Sequence, residues 1–179
     1  MEAPPDIMNC IVWNCRGLGN PRTVQALARM VRDKDPSAVF LIETWADDPQ
    51  LESFRTQLHF AKKLVVPRRN KGGGLAVFWK QDIDLTISSY SQSHIDTIID
   101  GRSEEAWRFT CFYGALETHR RNQSWDLLRS LHSQFSIPWC YARDFNEIIR
   151  LEEKQGRVQR SDSKCRHSGR HWMIVDSMI

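Results

Sequence analysis

Two short apolar runs, each delivering a carboxylate, constrain this chain more than any other feature. Ala38 to Ile42 runs straight into Glu43-Thr44, and Pro138 to Tyr141 leads to Asp144-Phe145-Asn146-Glu147. A continuous apolar run of strand length marks a strand buried on both faces. The C-terminal end of such a strand is where α/β folds build their sites, because a rigid backbone there opens into a crevice. A third string of this kind, Ile11-Val12-Trp13-Asn14-Cys15-Arg16-Gly17, lies upstream. Strand-end Asn14, Glu43, Asp144 and Asn146 together have the chemistry to hold a hard divalent cation and a phosphate.

The rest of the chain supplies elements to flank these strands. Cys10 to Trp13 is a short buried strand in pattern. Asn20-Pro21 is a helix start, with Pro at the first helical position, and Val24, Leu27, Ala28 and Val31 follow at helical spacing, predicting a helix over 22–34. Asp48-Pro49 repeats the signal ahead of the stripe Leu51, Phe54, Leu58. From Lys63 the period changes. Leu64-Val65-Val66, Leu75 to Trp79, Leu85 to Tyr90, Ile95 to Ile99 and Trp107 to Tyr113 are short strand candidates between turn residues, which suggests antiparallel pairing. Gly72-Gly73-Gly74 fits a hairpin loop; no Gly-Lys-Ser/Thr follows it, so a phosphate-binding loop is excluded. A third helix is expected over 119–134, with Trp125, Leu128, Leu131 and Phe135 on one face. Helices flanking a mixed sheet give an α/β layered architecture.

Composition narrows the classes. The 179 residues suit one domain with a sizeable core, and no apolar run approaches membrane-spanning length. Met1-Glu2-Ala3-Pro4-Pro5-Asp6 has neither a basic nor an apolar leader region, and five cysteines without a paired pattern fit reduced thiols. The expectation is therefore a nuclear or cytoplasmic protein, not a secreted one. A net charge of +3 permits a nucleic-acid partner without requiring one. Basic residues gather at Arg68, Arg69 and Lys71, at Arg120 and Arg121 after His119, and from Lys154 to Arg170; taken singly, each is a solvated loop.

Five strings in order, Trp13-Asn14-Cys15-Arg16-Gly17-Leu18-Gly19, Leu41-Ile42-Glu43-Thr44, Gly72-Gly73-Gly74-Leu75-Ala76, Phe112-Tyr113-Gly114 and Asp144-Phe145-Asn146-Glu147, make the chain resemble the endonuclease/exonuclease/phosphatase superfamily. That superfamily includes DNase I and the abasic-site nucleases, and the resemblance is strongest to the endonuclease domain of plant LINE-type (non-LTR) retrotransposons. It implies a DNase I-like layered sandwich, two packed mixed β-sheets flanked by helices. It also implies Mg²⁺-dependent hydrolysis of DNA. On this resemblance Glu43 is the Mg²⁺ ligand and Asn14 hydrogen-bonds near the metal or phosphate. Asp144 orients and deprotonates the attacking water, Asn146 donates to the phosphate, and the Tyr113 hydroxyl contacts a phosphate oxygen.

The resemblance covers residues 8–155, after a tail of residues 1–7. Relatives close with a Ser-Asp-His string and an earlier Arg-containing strand, which this chain lacks; the expectation is a domain with its C-terminal part missing. Arg143 stands where relatives usually have Gly, placing a cation and bulk beside Asp144. Arg16 stands where repair-type relatives carry an acid, although plant retrotransposon relatives commonly have Arg. Residues 156–179 are not family-like. Cys165, His167 and His171 suggest zinc, but no fourth ligand follows at metal spacing. Reading suitable codons for Ser163 to Ile179 one base out of frame gives an amphipathic string of the family's kind. Three Asp codons in it are forced by Trp172-Met173, Met173-Ile174 and Met178-Ile179. A one-base deletion near Ser163 is the expected origin of this tail, and a degenerate, inactive endonuclease domain the expected product. An active nuclease or phosphatase of the superfamily, and a non-catalytic nucleic-acid-binding module, are the alternatives.

Overall fold

The computed structural model describes residues 8–69, 73–113 and 121–144. Two four-stranded sheets pack face to face, with helices outside. The first sheet holds β1 (Cys10–Asn14), β2 (Ala38–Ile42), β3 (Lys62–Val66) and β4 (Leu75–Trp79) in the order β1-β2-β4-β3. β1 and β2 run parallel, joined by α1 (Pro21–Lys34); the β2–β4 and β3–β4 pairs are antiparallel. The second sheet holds β5 (Leu85–Ser91), β6 (His94–Ile99), β7 (Trp107–Tyr113) and β8 (Trp139–Asp144) in chain order. Its first three strands are antiparallel neighbours, and α3 (Arg121–His132) crosses from β7 to the parallel β8.

The pattern explains the layers. All five residues of β2 are buried, because one face meets the second sheet and the other meets helices. Ala38, Phe40 and Ile42 join Ile95, Phe109 and Cys111 in the core between the sheets, where the Phe40 and Phe109 rings lie 4.7 Å apart. Val39 and Leu41 pack outward with Leu27 of α1 and with Leu51 of α2 (Asp48–Gln57). Burying side chains of this size contributes about 1.5–3 kcal/mol each. Outside the second sheet, Phe112 and Tyr141 pack with Leu128 of α3.

Asn20 caps α1 as expected, its side chain accepting from Arg22 N at 2.9 Å, with Pro21 opening the helix. Asp48-Pro49 is corrected by one residue. Asp47 is the cap: its carboxylate accepts from Gln50 N at 2.9 Å and the Gln50 side chain accepts from Asp47 N at 3.1 Å. This reciprocal pair outcompetes a cap at Asp48 because it satisfies two free N–H groups at once. α3 stops at His132, so Phe135 does not extend its apolar face. Phe135 is 41% exposed, with its ring centroid 4.9 Å from the Arg108 guanidinium carbon. β8 runs past Tyr141 to Asp144, since pairing with β7 continues to the Tyr113–Asp144 register. Gly72, Lys71, His119, Arg120, Asn146 and everything from Phe145 to Ile179, including Cys165, His167 and His171, lie outside the described residues.

Candidate active site

The C-terminal ends of β1 and β2 leave the first sheet side by side, and their loops stay hydrogen-bonded. Cys15 N donates to Ile42 O (3.0 Å), Gly17 N to Glu43 O (2.8 Å) and Leu18 N to Thr44 O (2.8 Å). From the other flank, Thr44 N donates to Gly74 O at 3.1 Å and Trp45 N to Gly73 O at 3.4 Å. Two segments thus grip the residues following β2. They hold non-glycine backbones in the left-handed region: Arg16 at φ 46°, Glu43 at φ 55° and Trp45 at φ 48°. Such residues cost on the order of 1–3 kcal/mol each and persist where surrounding structure over-determines them, commonly at functional sites.

The packing leaves no room for larger residues at two glycines. A Cβ on Gly17 (φ 99°) would sit 2.6 Å from Trp45 Cε3, and one on Gly74 (φ 88°) would sit 2.5 Å from Thr44 Oγ1. Thr44 Oγ1 itself is buried without a hydrogen-bond partner among the described residues. β3 and β4 are antiparallel neighbours, and Gly73 and Gly74 ahead of β4 brace the carboxylate-bearing corner.

Three of the expected residues come together here. Glu43 Oε1 accepts from Asn14 Nδ2 at 3.1 Å and from the Tyr113 hydroxyl at 3.0 Å. Asn14 ends β1, Glu43 follows β2, and Tyr113 ends β7 in the opposite sheet. The Asn14 carbonyl oxygen accepts from Arg16 N at 3.1 Å, which fixes which way the amide is turned. Asp144 is placed by its backbone, beside Tyr113 in the β7–β8 register. Its side chain and Asn146 fall outside the described part.

The donor set fits a hard cation held by a single carboxylate. Magnesium commonly keeps several waters and takes one or two protein carboxylates. Oε1 of Glu43 is oriented by two donors, whereas Oε2 accepts no hydrogen bond among the described residues. No group of three or more His, Cys, Asp or Glu able to hold a metal exists among the described residues, which argues against a zinc-type centre there. Cys15 is not a nucleophile. Burial above all, with the nearby Glu43 charge adding, pushes its thiol up to about 12 against opposing backbone hydrogen bonds. The thiol donates instead to Ile42 O at 3.2 Å.

Sequence reasoning missed Trp45, which is 43% exposed two residues beyond Glu43. An isolated Trp after a strand carries no periodic signal. Its structural companions, Gly17 and Gly74, are distant in sequence.

The fold recurs in solved structures. The chain superimposes on the human Nocturnin catalytic domain with bound sulfate at TM-score 0.59 and 13% identity, covering 79% of this chain and 64% of that one. Truncated Caenorhabditis elegans TDP2 gives TM-score 0.54 and 16% identity, covering 85% and 66%. The Neisseria 3′ phosphatase NExo, bound to product DNA hairpin, gives TM-score 0.54 and 14% identity, covering 78% and 58%. The chain therefore spans less than two thirds of the length of each of these structures. No curated protein matches it in sequence. The model of the Endonuclease/Exonuclease/phosphatase family matches residues 11–165, from the second residue of β1 through β8 and beyond, and the chain belongs to that family.

Proposed function

We propose that this chain carries the site of a Mg²⁺-dependent DNA endonuclease of the LINE-type retrotransposon kind, which hydrolyses a phosphodiester. The observation that carries the reading is Glu43: a carboxylate on a left-handed corner, held from one sheet by Asn14 and from the other by Tyr113. Such pre-orientation is what a ligand to a hard cation requires. DNA as the substrate class is supported by the solved structure of similar fold that holds a product DNA hairpin. The LINE-type assignment rests on the five sequence strings.

In this reading Glu43 would hold Mg²⁺, which would supply neutralisation of charge developing on the phosphate. Asn14 and Tyr113 keep the Glu43 carboxylate in one orientation. Asp144 accepts the proton from the attacking water. The new bond forms between the water oxygen and phosphorus, the ester P–O bond breaks with its electron pair leaving on the sugar oxygen, which takes a proton from solvent, and Asn146 donates its amide N–H to the phosphate.

A second reading, the same site silent, is favoured by Arg143 directly before Asp144. A cation next to that carboxylate in sequence favours its ionised form and weakens it as a base. Nicking of supercoiled plasmid with Mg²⁺, beside Glu43→Ala and Asp144→Ala, separates the two. Nicking abolished by both substitutions supports the enzyme. A folded wild-type protein that leaves the plasmid intact supports the silent copy, and Arg143→Gly is then expected to restore cleavage.

A further inference from the structure

Trp45 is an exposed indole in a place that holds it still. Its backbone sits at φ 48°, fixed by the hydrogen bond to Gly73 O, and the edge of its six-membered ring lies on Gly17. A large aromatic residue in the left-handed region is a conformational outlier, so surrounding contacts select this arrangement. One ring edge is packed, yet 43% of the residue remains open to solvent.

Two exposed arginines lie on the loops that hold it. Arg16 immediately precedes the glycine on which the indole lies. The backbone nitrogens of Arg68 and Trp45 both lie 3.7 Å from the position a Cβ would take on Gly74, so the two chain segments meet there. Arg16 and Arg68 have no ion-pair partner among the described residues. Asp47, an acid close by in sequence, is engaged as the cap of α2. An open indole on a corner braced by loops that carry two exposed arginines matches an unpaired nucleotide, whose base presents a π-face and whose neighbouring phosphates carry charge.

We infer that Trp45 is a base-stacking platform, with Arg16 and Arg68 as phosphate contacts, holding an unstacked nucleotide beside the Glu43 site. The inference builds on the reading of that site as one that works on DNA, and its test is independent of cleavage. Binding of a labelled single-stranded DNA oligonucleotide is measured in EDTA. Trp45→Leu, which still covers Gly17 but has no π-face, is expected to weaken binding about 5- to 150-fold, the equivalent of about 1–3 kcal/mol of stacking. Trp45→Phe keeps most of the affinity. Arg16→Ala and Arg68→Ala each reduce the slope of log K against log salt by about 0.7. Photo-cross-linking of wild-type protein to an oligonucleotide carrying 5-iodouracil is expected to map to Trp45, and this needs no variant to fold.

Equal binding by Trp45→Leu and wild type, cross-links that map elsewhere, or no binding by wild type would each overturn the inference. Plasmid nicking together with unchanged binding by Trp45→Leu leaves the endonuclease reading standing while removing the platform. Trp45-dependent binding without nicking does the reverse.

Discussion

The Tyr113 hydroxyl donates to Oε1 of Glu43 across 3.0 Å, joining the end of β7 in one sheet to the end of β2 in the other. Asn14 adds a second donor to the same oxygen. Groups that orient a metal ligand without touching the metal typically change affinity or activity 10- to 100-fold. Tyr113→Phe is therefore expected to raise the Mg²⁺ concentration for half-maximal nicking about 10- to 100-fold and to leave the melting temperature nearly unchanged. A magnesium titration of nicking, beside a thermal melt, checks both parts.

Gly74→Ala asks a left-handed backbone to accept a Cβ that meets Thr44 Oγ1 at 2.5 Å. Both the dihedral and the collision act against the variant, so the loss should exceed about 1 kcal/mol. Gly73→Ala makes a useful control: its φ of 85° is also positive, but no atom lies within 4 Å of the added Cβ. Denaturant unfolding should rank Gly74→Ala below Gly73→Ala, and Gly73→Ala below wild type.

A buried ion pair locks α3 to the second sheet. Arg108 Nε donates to Asp96 Oδ1 at 2.8 Å and Oδ2 at 3.0 Å, while Arg108 Nη1 donates to Leu131 O near the end of α3. Thr110 Oγ1 donates to Asp96 Oδ1 at 2.6 Å and accepts from Trp139 Nε1 at 2.9 Å. Arg108 is 1% exposed and Asp96 is fully buried. Asp96→Ala would strand the guanidinium without its partner, a loss of about 3–5 kcal/mol. The double variant Arg108→Met with Asp96→Leu, which removes both charges, should recover much of that loss in urea unfolding. A double variant no more stable than Asp96→Ala would argue that Arg108 acts through its other contacts.

The layered fold was readable because its signals are local. The apolar run of β2 and the Asn20-Pro21 start of α1 each lie within a few residues, and both stand where expected. The Glu43 position was readable for the same reason, as a charge ending an apolar run. Its partnership with Tyr113 was not, because the two lie 70 residues apart and meet only when the sheets pack. The burial of Arg108 and Asp96 was not legible. An alternating strand with a charge normally turns that charge to water, and only the α3 crossover buries this face. Phe135 was placed on the helix by spacing alone, yet the helix ends three residues before it.

His94 supplies a pH test. It is buried at the start of β6, with Nε2 2.9 Å from Ser89 Oγ and Nδ1 2.8 Å from Ser91 Oγ. Burial chiefly, with Arg108 adding, pulls its pKa below the ordinary 6.5, while Asp96 opposes the shift. A lowered folded-state value means the unfolded chain binds the proton more readily. Stability from this group is full above about pH 6.5 and declines as pH falls through the folded-state value. The melting temperature should therefore drop on going from pH 7 to pH 5, above the range where ordinary carboxylates titrate. His94→Gln should flatten that drop; an unaltered slope would assign it to other groups.

Among the described residues, the strands of the first sheet come from residues 10–79 and those of the second from residues 85–144. Among the described residues the strands of one sheet are written before those of the other, and the residues that meet at Glu43 are divided between them. During synthesis Glu43 and Asn14 leave the ribosome long before Tyr113 is made, and domains tend to fold as units once their sequence is available. The carboxylate is held from both sides only in a chain whose two halves have docked. The timing of synthesis thus keeps an unfinished polypeptide from presenting a finished site.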